Sequence, residues 1–275
     1  MPDHHDRHHE TRAQAEAQSE IDSSEESLDE EAEQQEEMPK RALVVVAHPD
    51  DAEFSCGATV ARWTRDGWEV HFVIVTDASG GGDDHATDVG PEARKAISDR
   101  RKAEQREAAS ILGVAGVEFL DYLDGTIEPT LQLRCDITRM IRTYQPSILV
   151  CPSPDFRWDP FYIGRHHPDH LAVGRATIAA AYPASRNAWD FPELLKQGLQ
   201  PHRVKELWVV GAPAMNHFVD VTETLDLKID ALRAHASQLA AHFDQVEERV
   251  REGLSENGQQ HGVGAAEEFY RAEIG

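Results

Sequence analysis

The chain has 275 residues, with 50 Asp and Glu against 27 Lys and Arg and a formal charge of −23 at pH 7. That balance argues against non-specific nucleic-acid binding, which needs clustered Lys and Arg to displace counterions. The length suffices for a full core, and there is neither an apolar run of about 18 residues to span a membrane nor an apolar h-region of a signal peptide. Cys56, Cys135 and Cys151 are widely separated and odd in number, so no disulfide framework follows and a reducing cytoplasm is the expected compartment.

Residues 1–40 hold fourteen Asp and Glu against three Lys and Arg and few apolar residues, which predicts a disordered acidic tail. Its cluster His4-His5-Asp6-Arg7-His8-His9 reads as a solvated, weakly chelating start rather than a built site. The apolar run Leu43-Val44-Val45-Val46-Ala47 then reads as a buried parallel strand, and it ends abruptly in His48-Pro49-Asp50-Asp51. Small and apolar residues at helical spacing predict a helix over 55–66, stopped by Gly67, and a second strand over 68–75. The loop after it contains Gly80-Gly81-Gly82, which permits positive φ or a close backbone approach but is no P-loop, since no Gly-Lys-Ser/Thr follows.

A long helix is predicted over 92–112, a short strand over 117–120 with a loop at 121–125, a helix over 130–144 and a fourth strand over 147–151. This alternation predicts an α/β fold: a doubly wound, mostly parallel sheet with helices on both faces. A loop over 152–170 closes with His166-His167-Pro168-Asp169-His170, with Pro168 suited to the first helical position, His167 near the N-cap and His170 in the first turn of a helix. Residues 183–203 read as a loop-rich insertion, 207–211 and 216–221 as late strands, 222–242 as a final helix, and 245–275 as a polar, partly disordered extension. The expected organisation is thus a tail over 1–40, a catalytic domain over 41–244 and the extension.

In open α/β sheets ligands bind beyond the carboxyl ends of the strands, so the two histidine clusters are expected to face one crevice. His48 and Asp51 lie across a tight turn and His170 can reach back from its helix start, giving two histidines and a carboxylate for one metal ion. That donor set suits Zn2+, or Fe2+ in a reducing cell. Such an ion lowers the pKa of its bound water and polarises a carbonyl; Asp50 would be the general base, and His167 would stabilise an oxyanion or protonate the leaving amine, oriented by Asp169. The alternative for the first cluster is a plain polar turn with an N-cap aspartate.

Ala47-His48-Pro49-Asp50-Asp51-Ala52-Glu53, followed by Cys56-Gly57-Ala58-Thr59, resembles the opening signature of the LmbE-like, or PIG-L, N-acetylglucosaminyl deacetylases. His167-Pro168-Asp169-His170 resembles their second signature, and Arg101, Glu104, Ala108, Ala109 and Leu112-Gly113-Val114 resemble their middle pattern. The resemblance spans roughly residues 41–240. It implies a Rossmann-like fold and a zinc-dependent amidohydrolase that removes an N-acetyl group from an N-acetylglucosamine-type conjugate, with His48, Asp51 and His170 as ligands, Asp50 as base, His167 as the electrostatic or acid group oriented by Asp169, and Arg101 as a substrate contact. Where some members carry a tyrosine before the second signature this chain has Arg165, which would hold an anionic intermediate or substrate by its guanidinium. Arg157 and Arg165 could equally pair with Asp155 and Asp159. The competing readings are a non-catalytic nucleotide- or sugar-binding α/β module, although G-x-G-x-x-G is absent after the first strand, and a tail-driven interaction protein.

Overall fold

The first strand, β1 (Arg41–Val46), is apolar and buried from Ala42 onward because both of its faces are covered. It lies at the centre of a parallel array, paired with β2 (Glu69–Thr76) at Val45↔Val73 and with β4 (Ile148–Pro152) at Val44↔Val150. The computed structural model describes residues 39–83, 85–158, 161–163 and 166–275. The tail expected over 1–40, but for its last two residues, lies outside the described residues, as do Asp159 and Arg165.

Helices alternate with the strands as the periodicity implied. They are α1 (Asp51–Arg65), α2 (Pro91–Ile111), α3 (Leu131–Tyr144) and α4 (Pro168–Ala181), with β3 (Gly116–Tyr122) between α2 and α3. A short α5 (Pro192–Lys196) interrupts the expected insertion, and β5 (Glu206–Val210), β6 (His217–Asp220) and α6 (Leu225–Ala234) follow. The sheet order is β3-β2-β1-β4-β5-β7-β6. Its first five strands are parallel. β7 (Ala266–Glu273) is antiparallel to both β5 and β6. α1 and α2 pack with α6, and α3 packs with α4, so helices cover both faces. The core joins Leu43, Val45, Val73 and Leu149 of the strands to Ile137 and Ile141 of α3 and Val173 and Ala176 of α4.

Two expectations for the C-terminal third are corrected. The single helix over 222–242 is broken at His235, where α6 ends and the short α7 (Ala236–Leu239) begins. The polar extension expected over 245–275 is instead α8 (Phe243–His261) and β7, inside the same compact unit, Lys40–Gly275. α8 buries only Phe243, Leu254 and Gly258, and β7 buries Ala266, Glu267 and Phe269, so a mostly polar composition hides two packed elements. Among the described residues no helix is long and apolar enough to cross a membrane.

Strand order reverses between β1 and β4, so the loops leaving these two strands open the crevice of the sheet. One carries His48 to Asp51, and the other runs to His167 and His170.

Candidate active site

The turn after β1 is held from below. Asp50 takes a left-handed conformation (φ 84°) that costs energy for a non-glycine residue. Its neighbours over-determine it: the Asp50 N–H donates to Gln105 Oε1 at 3.0 Å, and Arg101 Nη2 donates to the Pro49 carbonyl at 3.1 Å. Asp50 is the N-cap residue of α1, yet its side chain accepts no capping hydrogen bond, so the carboxylate is left for another task. Arg101 Nη2 lies 3.6 Å from it.

Three metal-capable side chains converge above this turn. His48 Nδ1 is 3.2 Å from His170 Nε2 and 3.5 Å from Asp51 Oδ2, and His170 Nε2 is 3.1 Å from Asp51 Oδ1. Ligands set tetrahedrally about 2.0–2.1 Å from one zinc are about 3.3 Å apart, and the two imidazole nitrogens, 3.2 Å from each other and each within 3.5 Å of an Asp51 oxygen, suit such a site. His48, His167 and Asp169 form a second grouping within 4.8 Å. Both Asp169 oxygens already serve backbone donors, Oδ2 and Oδ1 accepting from the Gly125 and Ile127 N–H at 2.8 and 3.0 Å, and His167 Nδ1 accepts from the Asp169 N–H at 3.2 Å, whereas Asp51 gives only Oδ2 to a backbone donor, the His48 N–H at 2.8 Å. His48, Asp51 and His170 are therefore the group best able to hold a metal ion.

The far side of His48 is equally ordered. Its Nε2 lies 3.1 Å from Asp124 Oδ1 and 3.2 Å from Asp169 Oδ2. Carboxylates on the second ring nitrogen fix the tautomer of a metal-ligating histidine and leave the other nitrogen free to bind. The Asp169 carboxylate thus lies on His48 Nε2, and the Asp169 backbone N–H donates to His167 Nδ1. Arg101, expected to contact substrate, is relocated: it is 6% exposed and lies under the turn between Asp50 and Asp124. The glycine run makes room for it, since a Cβ on Gly81 would stand 2.4 Å from Arg101 Nη1. Gly80 donates to Asp124 Oδ2 at 2.9 Å. The close approach foreseen for these glycines is to protein side chains.

Burial opposes charge on His48, but Asp124, Asp169 and Asp51 outweigh it and push its pKa up to about 12. Burial raises Asp51, yet His170 and His48 hold its carboxyl well below the usual carboxylate range. Asp124 and Asp169 are likewise lowered against burial, chiefly by His48, Asp169 with help from the Ile127 and Gly125 N–H groups. Asp50 goes the other way: burial and the Asp51 charge raise it to about 7, against the pull of Arg101 and His235. Burial and the neighbouring His48 lower His167. A crowded set of ionised carboxylates around two imidazoles is an environment that favours a bound cation.

Sequence reasoning missed Asp124, Gln105, Glu53 and His235. Asp124 sits just past β3, at the same carboxyl edge of the sheet, and that position was its only available signal. The other three form a buried chain behind Asp50: Gln105 Nε2 donates to Glu53 Oε1 at 2.7 Å, and His235 Nε2 lies 3.3 Å from Glu53 Oε2. In front, a cleft of about 930 Å³ runs from Asp51 and His170 past Arg157 and Tyr162 to Asn257 and Gln260 of α8.

Residues 43–181 match the family model described as PIG-L: GlcNAc-PI de-N-acetylase. The chain belongs to the PIG-L family. Among its PIG-L relatives, diacetylchitobiose deacetylase of Thermococcus kodakarensis is 31% identical over 72% of this chain and 70% of the relative. The 1D-myo-inositol 2-acetamido-2-deoxy-alpha-D-glucopyranoside deacetylase of Rhodococcus jostii is 28% identical over 73% of this chain and 82% of its own. The solved structure of N,N'-diacetylchitobiose deacetylase from Pyrococcus horikoshii, complexed with its inhibitor MPG, superposes with a TM-score of 0.76 at 26% identity, covering 92% of each chain. The PIG-L match ends at Ala181, so α8 and β7, which wall the far side of the cleft, lie beyond it.

Proposed function

We propose that this chain is a metal-dependent hydrolase that removes the N-acetyl group from an N-acetylglucosamine-type saccharide conjugate. The observation that carries the reading is the convergence of His48 Nδ1, Asp51 and His170 Nε2 at mutual distances of 3.1–3.5 Å, with the Asp50 carboxylate next to them in the chain. A non-catalytic sugar- or nucleotide-binding module gives no reason for that convergence, nor for a positive φ at Asp50.

His48, Asp51 and His170 would hold the ion, and two imidazoles with one carboxylate suit zinc, with ferrous iron as the other candidate. A bound divalent ion supplies a Lewis acid, which brings the pKa of water toward about 7 and polarises an amide carbonyl. Asp50, with a pKa near 7, is matched to taking a proton from the attacking water. The water oxygen bonds to the carbonyl carbon, the C–N bond breaks, and Asp50 returns the proton to the departing amine, leaving acetate. His167 receives the Asp169 N–H on Nδ1, which places its own ring proton on Nε2. With its pKa lowered, the neutral ring serves as a hydrogen-bond donor to the developing oxyanion rather than as an acid. Asp124 and Asp169 hold His48, while Arg101 and Gln105 hold the Asp50 backbone.

The substrate class rests on the relatives, whose names all specify N-acetylated amino-sugar compounds. The cleft is large enough for a saccharide beyond the reacting ring. The test is release of free amine and acetate from N,N'-diacetylchitobiose and from simple N-acetylglucosaminides, before and after chelation and with zinc restored. Chelator-sensitive release supports the proposal. Inert protein after zinc addition, with tight saccharide binding by calorimetry, would put the binding module in its place.

A further inference from the structure

Helix α1 is two helices in one. At Cys56 the backbone leaves helical geometry (φ −145°, ψ 16°), so a single turn beginning at Asp51 is separated from the segment that continues to Arg65. A break of this kind strands carbonyls of the first piece and N–H groups of the second, and buried stranded groups must find partners. Here the partners come from the C-terminal third of the chain. Lys228 Nζ, on α6, donates to the Phe54 carbonyl at 2.7 Å. Glu267, on β7, accepts from the Ala58 and Thr59 N–H groups at 3.2 and 2.7 Å, the position an anion favours at a helix start. Lys228 Nζ and Glu267 Oε1 are 2.6 Å apart, and their side chains are only 2% and 1% exposed.

A buried ion pair is a poor way to gain stability, because well-packed apolar residues usually do as well or better. Its position supplies another reason. A one-turn helix has little stability of its own, and this turn carries Asp51 and follows directly on Asp50. The pair is wedged into the break at Cys56, in the helical turn that follows directly on Asp51.

We propose that Lys228 and Glu267 are positioning residues for the active site: they splice the broken α1 and fix the turn that presents Asp50 and Asp51, making the C-terminal strand a working part of the metal-binding group. This rests on the metal reading given above.

The test compares full-length wild type with Lys228→Met, Glu267→Gln and the double variant Lys228→Met/Glu267→Gln. The double variant leaves no unpaired buried charge and keeps an oxygen for the Thr59 N–H; the weaker Ala58 N–H bond is lost, a smaller cost than the uncompensated buried charge that either single change leaves. A stability control is Glu206→Gln/Arg271→Met, which removes a β5–β7 ion pair joined at Nε by a 2.9 Å contact and hydrogen-bonded to neither Lys228 nor Glu267. Zinc affinity is read by competition with a chromophoric chelator, and kcat and KM on N,N'-diacetylchitobiose. The expected result is a folded double variant with zinc affinity weakened 10–100-fold and kcat lowered at least tenfold, KM within about threefold, and the control unchanged in all three. A folded double variant with wild-type zinc affinity and kcat overturns the positioning role while the metal reading stands. Wild type that binds no zinc overturns both.

Discussion

Asp169→Asn is the sharpest single perturbation of this site, because it changes no shape and only one atom. The Asp169 carboxylate is 1% exposed and has three calls on its two oxygens: the Gly125 N–H at 2.8 Å, the Ile127 N–H at 3.0 Å and His48 Nε2 at 3.2 Å. An asparagine can present one oxygen. Whichever way it turns, its NH2 faces a backbone N–H, so one charge-assisted hydrogen bond is lost and two donors oppose each other. A hydrogen bond to a charged group contributes about 1.5–3 kcal/mol and an unsatisfied buried donor costs about 1–3 kcal/mol; both describe the same N–H and overlap, which puts the loss at roughly 2–4 kcal/mol. For a chain of this size that corresponds to a fall in Tm of about 5–15 °C. Because the same carboxylate orients His48, metal affinity should weaken 10–100-fold as well. Thermal melts and chelator competition measure the two effects separately. An Asp169→Asn protein with wild-type Tm and wild-type metal affinity would refute the assignment of this carboxylate to His48.

Three further perturbations separate chemistry from architecture. Asp50→Asn should leave fold and metal content intact, since the Asp50 side chain makes no capping bond, while kcat falls about 10²–10⁴-fold with KM little changed; steady-state kinetics on N,N'-diacetylchitobiose decide it. Gly81→Ala drives a methyl into Arg101 Nη1, pinned under the turn, and should cost roughly 1–3 kcal/mol in a denaturant melt while lowering kcat. His235 is raised above its ordinary pKa because Glu53, Asp50 and Glu104 outweigh burial. Its contribution is therefore complete below about pH 6.5 and declines as pH rises through its folded pKa. The stability gap between wild type and His235→Asn should be roughly 3 kcal/mol at pH 6 and smaller at pH 9. A gap that widens with pH contradicts the sign.

The two signatures were legible because each packs several metal-capable side chains into a few residues beside a strong strand or helix signal. His48-Pro49-Asp50-Asp51 ends an unbroken apolar strand, and Pro168 marks the first helical position behind His167. The parallel sheet was legible from alternation alone. What remained hidden has no local pattern. Asp124 lies in an ordinary acidic loop, and its meaning comes from His48, which only the fold brings near. His235 falls inside a stretch with continuous helical periodicity, and the backbone break that turns it toward Glu53 leaves no mark in composition. Arg101 was assigned to substrate by resemblance, whereas the glycines at 80–82 let it pass beneath the turn. The polar C-terminal residues give a weak strand signal because β7 spends a buried position on Glu267, whose partners lie on α1 and α6.

The central claim is that His48, Asp51 and His170 hold one metal ion. Elemental analysis of the full chain, purified without an affinity tag and equilibrated with zinc, tests it against Asp51→Ala/His170→Ala. About one zinc or iron per wild-type chain, lost from a folded double variant, is the expected result. Equal metal in both proteins, or none in either after zinc is supplied, would contradict it.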